Sequence, residues 1–351
     1  MANWYCTREQ VKLAGSIFGS THNGRLDRLI EATSRRIDRE TRRYFLPRTE
    51  TRVYRWPPRQ PSSGLILWLD QDLIAVTTLQ TQAQNTSPTT ISSSDFFLEP
   101  ANTGPPYNRI EIDRSSTAVF QAGDTPQRSI SVLGRWGFSE DTRGAGTVAS
   151  GLDSGTTATT MVCSDGGLID VGDTLLIESE QLFVSGRSNA ALGSVLINGA
   201  LTASMAEDVV ADGSHGLLAG ETIQVGSEQM FIESVSTNDL AVVRAYNGSV
   251  LASHNNDTAI HTLRTLTVER GVSGTTAAVH ADATAISVIE PPFDISTACI
   301  ADTLAAYAQE TASWGRTVGT GEGAGEFTAR DLAGRRGEVL MNYRRLRTAV
   351  I

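Results

Sequence analysis

Residues 172–183 read GDTLLIESEQLF, and residues 220–231 read GETIQVGSEQMF. A second pair of stretches, VVRAYNGSVLASHNNDTAI at 242–260 and VERGVSGTTAAVHADATAI at 268–286, is related in the same way. The first pair repeats at an offset of 48 and the second at an offset of 26. Self-similarity at a fixed spacing indicates duplicated supersecondary units. The sequence therefore predicts two copies of one small module.

The two copies follow the order first half, first half, second half, second half. Phe231 and Val242 are 11 positions apart, whereas their counterparts Phe183 and Val268 are 85 apart. Removal of 74 residues restores the shorter spacing, which predicts that one β-module is inserted into a loop of the other. A loop whose ends lie close together tolerates such an insertion. The predicted ranges are 156–190 plus 265–290 for the outer module and 204–262 for the inner module.

The duplicated region is also the acidic part of the chain. Residues 144–296 contain 4 basic and 18 acidic side chains, a net charge of −14, whereas residues 1–60 carry a net charge of +7. The length of 351 residues suits two or three domains. We predict an inserted acidic β domain at 144–290, within a core domain built from residues 1–143 and 291–351.

The N-terminal part of the chain shows helical patterns. Thr7 and Gln10 form a capping-box motif, and apolar residues at helical spacing predict a longer helix over 23–44. The opposite face of that helix is rich in arginine, and several of its charges form i,i+4 pairs with acidic residues. This face is either solvated and self-neutralising or a contact surface for DNA phosphates or a neighbouring subunit. The arginines concerned are Arg35, Arg39, Arg42 and Arg43.

Strand patterns follow, and a helical pattern returns near the end. Short runs rich in β-branched and aromatic residues predict strands and hairpins between 49 and 138. After two prolines at 291–292 a helix is expected, with Ser296 as its N-cap. The predicted fold class is therefore α+β: a small helical bundle with β-hairpins, interrupted by an all-β insertion of two nested modules.

Repeated polar residues within the two modules are expected to have structural roles. Glu180 and Glu228 occupy the same repeat position and are predicted to bind local backbone groups, with calcium binding by the acidic loops as the alternative. His254 and His280 also correspond, and a histidine kept by both copies suits a turn or core position better than half of a metal site.

Motifs that would indicate catalysis are absent from the sequence. There is no H-E-x-x-H pattern, no nucleophile elbow and no phosphate-binding loop with its lysine. The glycines at 319–325 are interpreted as a linker. Three widely separated cysteines, Cys6, Cys163 and Cys299, suit free buried thiols. We predict no enzyme activity, no cofactor and no metal.

Several stretches outside the acidic block resemble the head–tail adaptor (connector) proteins of long-tailed bacteriophages. The opening YCTREQVKLA and the following RLDRLIEATSRRIDRETRRYFLP are similar to the short and long helices with which those proteins begin. Further similar segments are TETRVYRW, LILWLDQDLIAVTTL, DFFLEPANTGPPYNRIEI, SISVLGRWGF and PPFDISTACIADTLAAYA. The resemblance covers about 1–140 and 291–351.

The resemblance implies a structural virion protein that forms a homo-oligomeric ring, usually twelve-fold, between the portal vertex of the capsid and the tail. It implies contacts with the portal protein and with a stopper or tail-completion protein, while genomic DNA passes through the lumen without sequence specificity. Portal docking is expected in the C-terminal tail, 337–351. The expected contact residues are Tyr343, Leu346, Val350 and Ile351 as anchors, with Arg344, Arg345 and Arg347 as polar contacts.

The resemblance implies a location in the neck of the virion. Assembly in the host cytoplasm is expected, because no stretch resembles a membrane span or a signal peptide. The alternative function is a host-binding or decoration protein of the tail or neck, in which the β-modules are the working part. A hydrolase is a third class, and it requires a site that no motif indicates.

Overall fold

A computed structural model of the chain describes residues 3–57, 64–206, 208–311 and 337–345. Of these described residues, 37% lie in strands and 19% in helices, so the protein is predominantly β. The predicted α+β class with a helical bundle as its core is therefore wrong. The reason is that the strands between 48 and 136 enclose a hydrophobic cluster of their own, instead of packing as hairpins on a helical core.

Four helices lie in the described part of the chain, and they come from both of its ends. They are α1 (Arg8–Ala14), α2 (Asn23–Thr41), α3 (Phe293–Thr311) and α4, residues 337–343.

Local signals explain where these helices begin and end. The predicted capping box opens α1, because the Thr7 side chain accepts from the Gln10 amide and the Gln10 side chain accepts from the Thr7 amide. The helix α2 ends at Thr41, before the predicted end at 44, because Arg42 adopts a left-handed conformation with φ 59°. Ser296 is not an N-cap: α3 begins at Phe293, so Ser296 lies inside it.

The helices pack together and share a core with the acidic block. Arg36 of α2 lies 2.6 Å from Asp302 of α3, and the Cys6 and Cys299 sulfurs are 3.2 Å apart. The same hydrophobic cluster also includes Phe183 from the acidic block. The acidic block is thus packed directly against the helices that join the two ends of the chain.

The first sheet is antiparallel and encloses the second core. Its strands are β1 (Arg48–Tyr54), β2 (Ile66–Thr81), β3 (Thr89–Ile91), β4 (Phe96–Glu99), β5 (Tyr107–Ile112) and β6 (Ile130–Trp136). Their order is β1-β6-β2-β5-β4, with β3 paired to β2. The long strand β2 pairs with β5 through its first part and with β6 through its second part, with an irregularity between Trp68 and Leu73.

The remaining strands form one ten-stranded sheet. They are β7 (Thr142–Ser150), β8 (Thr160–Cys163), β9 (Thr174–Ile177), β10 (Glu180–Leu196), β11 (Val209–Val210), β12 (Thr222–Val225), β13 (Glu228–Ser236), β14 (Asp239–Val243), β15 (Ala259–Glu269) and β16 (Ala285–Ile289).

This sheet closes twice to give two small barrels. The outer barrel runs β7-β8-β15-β10-β9-β16 and back to β7. The inner barrel runs from the end of β10 through β11, β14, β13 and β12 to the start of β15, which pairs back with β10 at Leu196 and Ala259. Each barrel encloses its own cluster of buried apolar residues. Closure leaves no unpaired strand edge along the circuit.

The barrels correspond strand for strand, and β10 and β15 belong to both. The inner barrel lies between Ser188 and Thr265, which are paired across β10 and β15 just as Ser236 and Asp239 are paired across β13 and β14. The inner barrel therefore replaces a two-residue turn of the outer one. The strand β7 and the segment around 195–201 precede the ranges predicted for the modules and belong to the same repeat.

Within the described helices, none combines the length and the apolar character required to span a bilayer.

Candidate functional site

The arginine-rich face of α2 contacts the protein's own chain over much of its length. Arg35 donates to the Asn3 carbonyl at 2.5 Å and lies 3.1 Å from Asp38. Near the N-terminus of the same helix, Arg25 and Arg28 lie 3.6 and 3.3 Å from Glu310 of α3. These pairs fasten α2 to the N-terminal segment and to α3, so only part of the face is available to DNA or to a neighbour.

The other predicted lumen or interface arginines differ in their environment. Arg39 is exposed on α2, and Arg42 is half-buried at the left-handed C-cap. Arg43 instead belongs to an intramolecular cluster: its Nη1 donates to Asp72 at 2.6 Å and its Nε donates to the Tyr343 carbonyl at 2.5 Å.

The cluster around Asp72 holds the C-terminal segment in place. Arg345 is buried, and it donates to the second oxygen of Asp72 at 2.5 Å and to the Leu69 carbonyl at 2.8 Å. The Tyr343 ring packs edge-on against Phe45 at a centroid distance of 5.4 Å. We define the set Arg43, Asp72, Tyr343 and Arg345 as the tail clamp. It fixes the chain as far as residue 345.

The predicted portal-docking residues thus divide into three groups. Tyr343 and Arg345 make the intramolecular contacts of the tail clamp, and Arg344 is exposed. The remaining four lie outside the described residues: Leu346, Arg347, Val350 and Ile351. Sequence reasoning missed Asp72, because nothing near it in the sequence marks a partner 273 positions away.

Glu228 is the centre of a buried network in the inner barrel. Its two oxygens accept from Arg244 Nε at 2.8 Å and Nη2 at 2.9 Å, from the amides of Ala245 and Ala252 at 2.9 and 3.2 Å, and from His254 Nε2 at 2.8 Å. Burial raises the pKa of Glu228, but the hydrogen bonds from Arg244, His254 and the two amides outweigh it and lower the pKa to about 2.

Glu180 repeats this network atom for atom in the outer barrel. Its oxygens accept from Arg270 Nε and Nη2, both at 2.7 Å, from the amides of Gly271 and Ala278 at 3.0 and 2.9 Å, and from His280 Nε2 at 2.8 Å. Burial again raises the pKa, and the hydrogen bonds again lower it to about 2. The repeated Glu, Arg and His of the sequence are therefore one structural unit that ties a turn to the barrel wall.

These networks have the chemistry of structural supports. Each carboxylate receives five hydrogen bonds, more than its roughly four lone-pair positions require, so neither oxygen is available to a substrate or an ion. Within the ranges that the structure describes, no group of three His, Cys, Asp or Glu side chains is arranged to hold a metal ion.

A third ion pair joins the two barrels. Arg264 of β15 makes a bidentate contact with Glu221, both distances being 2.7 Å. Glu221 also accepts from the amide of Gly166, which belongs to the outer barrel, at 2.9 Å. This contact fixes the inner barrel relative to the outer one.

A cluster of carboxyl groups lies where α1 meets the outer barrel. Glu9 accepts from the Val171 amide at 3.0 Å, and burial and the neighbouring Asp170 raise its pKa to about 7. Burial and Asp170 also raise the pKa of Asp173 to about 7. Arg187 lies 3.1 Å from Asp170. Glu9, Asp170 and Arg187 line a cleft of about 670 Å³ that opens between α1, the following loop and both barrels.

Comparisons with models of known protein families, with characterised proteins and with solved structures found no significant match to this chain.

Proposed function

We propose that this chain is a non-catalytic structural protein of a tailed-phage virion, the adaptor ring between the portal vertex and the tail. The observation that carries the proposal is the tail clamp. It anchors the chain up to Arg345, immediately before the last six residues, 346–351, which contain three of the four expected anchors. A chain held by buried contacts at 343–345 gives the residues that follow a defined attachment point, which suits docking to a second protein.

The arrangement of the helices also supports assembly into a ring. Phe293 of α3 and Met341 of α4 are 84% and 69% exposed, and burial and the neighbouring Asp294 of α3 raise the pKa of Tyr343 in α4. Large exposed apolar side chains on two neighbouring helices suit subunit contacts. We assign this surface to the contact between neighbouring copies.

The charge distribution indicates how the chain is oriented in the ring. The block 144–296 carries a net charge of −14 and would repel DNA phosphates, so the two barrels point away from the lumen. The exposed Arg39 lies on α2, and DNA or a neighbouring subunit is the expected contact of the surface formed by the four helices, which we call the helical end.

The decisive experiment removes residues 346–351, or replaces them with Gly and Ser at equal length. A longer deletion starting at 337 is unsuitable, because it would remove the buried Leu340 and Arg345 from the fold. The shortened chain should keep its melting temperature and its rings in negative-stain images, and it should lose co-sedimentation with the portal protein of the same virus. Unchanged co-sedimentation would refute the docking role of the tail.

A host-binding or decoration role is the second candidate, and the cleft beside the inner barrel is the observation that favours it. The nested topology offers a clean test. Residues 189–264 are replaced by Thr-Asn, the two-residue turn found at 237–238, so that Ser188 and Thr265 form the hairpin already present in the inner barrel. An adaptor with this change still forms rings and joins heads to tails. A host-binding protein gives complete virions that fail to adsorb.

A further inference from the structure

The two barrels have equivalent surfaces, but different parts of the molecule lie next to them. In the outer barrel, the N-terminal segment lies on this surface. Trp4 packs on Phe183 with a centroid distance of 5.2 Å and an interplanar angle of 72°. The preceding Asn3 donates to the Ser273 hydroxyl at 2.9 Å. Trp4 and Phe183 are both buried, so an Asn-Trp pair fills the site.

The inner barrel has the same site without such an occupant. Gly172, Phe183 and Ser273 of the outer barrel correspond to Gly220, Phe231 and Asn247. A Cβ built on Gly172 would lie 2.4 Å from the Trp4 ring, whereas a Cβ on Gly220 would have no described atom within 4 Å.

The backbone of the inner site matches that of the outer site. Asn247 and Ser273 have φ values of 52° and 55°, and the two following glycines, Gly248 and Gly274, have φ values of 73° and 81°. The backbone of this turn is therefore alike in both barrels, whereas the side chains at 246–247 and 272–273 differ, as does the covering segment.

The cleft of about 670 Å³ contains this unfilled counterpart. Gly220, Phe231, Tyr246 and Asn247 line it, and the rings of Phe231 and Tyr246 are 5.2 Å apart and tilted by 30°. Its volume lies within the roughly 300–1,000 Å³ that ligand sites occupy. Phe231 and Tyr246 are only half-buried, so the aromatic ring whose counterpart Phe183 is covered in the outer barrel is open here, with a second ring beside it.

The opposite wall of the cleft comes from the loop between α1 and α2. Phe18 contacts Gly248, and the Gly19 amide donates to the Asn247 carbonyl at 2.8 Å. Leu13 and Phe18 at the rim are 80% and 65% exposed. An aromatic floor with an apolar rim suits a large aromatic side chain.

We propose that this cleft binds an extended peptide segment of a partner protein through a tryptophan side chain, in the way that the outer barrel binds Trp4. The tryptophan ring lies on Phe231 and over Gly220, and a polar side chain next to it bonds to Asn247. The proposal rests on the internal repeat and is independent of the adaptor role.

The test uses the full chain and a fluorescein-labelled peptide, Met-Ala-Asn-Trp-Tyr, which copies residues 1–5. Fluorescence anisotropy should show saturable binding, at least about tenfold weaker for the peptide with alanine in place of tryptophan, as expected for loss of a buried aromatic anchor. The variants Phe231→Ala and Tyr246→Ala should weaken binding to a similar degree. Phe97→Ala, on an exposed residue of the first sheet, is the matched control and should have no effect.

Hydrogen exchange identifies the occupied site without relying on the variants. Bound peptide should slow exchange at 244–249 and leave the corresponding residues 270–275 of the outer barrel unchanged. The proposal is overturned if the peptide does not bind, if the alanine peptide binds equally well, or if protection appears at 270–275 instead. It is also overturned if Trp314→Ala raises the affinity for the peptide, because the chain's own tryptophan would then be the occupant.

Discussion

The substitution Glu228→Gln tests whether the buried network supports the inner barrel. Glu228 and Arg244 both have fully buried side chains, and the amide group of glutamine would replace one acceptor with a donor that faces the guanidinium. Removal of one partner of a buried ion pair costs about 3–5 kcal/mol, because the other charge remains buried and unpaired. The inner barrel should therefore open far more often than in the unchanged protein.

Hydrogen exchange measures that opening directly. A loss of about 3 kcal/mol corresponds to roughly a hundredfold faster exchange for amides that exchange through opening of the barrel. The effect is expected for the amides of β12, β13 and β14, while the first sheet should keep its exchange rates. The control Glu233→Gln alters an exposed glutamate on the same strand and should change little. Equal exchange rates in the Glu228→Gln and Glu233→Gln variants would refute the supporting role of the network.

Three further predictions concern acidic groups and thiols. The carboxyls of Glu180 and Glu228 have pKa values of about 2 in the fold against 4.5 for a free side chain. The stability that they contribute is therefore complete above pH 4.5 and declines as the pH falls towards 2. Over that range the melting temperature of Glu228→Gln should decline less than that of the unchanged chain. The pKa of Glu9 is raised to about 7, so the folded state favours its neutral form and loses stability as the pH rises from 4.5 through 7. Glu9→Gln should therefore reduce the fall in melting temperature between pH 5 and pH 8. A larger fall in this variant would contradict a buried, neutral Glu9. Cys6 and Cys299 have sulfurs 3.2 Å apart, so a mild oxidant should link them and speed migration on a non-reducing gel, whereas Cys163→Ser should leave the link intact and Cys299→Ser should abolish it.

Local sequence signals predicted those features that depend on neighbouring residues. The capping box at Thr7 needs only Gln10, three positions away, and the structure contains it. The repeat also brought Glu180 and Glu228 to attention, because the same side chains recur at matched positions. Their partners Arg270 and Arg244 recur as well, although the salt bridges themselves join residues on different strands.

The fold class could not be obtained in this way, because it depends on long-range pairing. Whether short strands lie on a helical core or enclose a core of their own is decided by contacts such as that of β1 with β6, which pairs Arg48 with Trp136. The tail clamp depends on Asp72, which lies in the long strand β2 without any local mark. The cleft arises because Trp4, which lies outside the repeat, covers one barrel and not the other.

The most direct test of the proposed function is electron microscopy of the purified chain mixed with the portal protein of the same virus. We predict closed rings bound coaxially to the portal, with the helical end and the last residues at the junction and the two barrels projecting outwards. Monomers that do not bind the portal, or rings with the barrels lining the channel, would contradict the account.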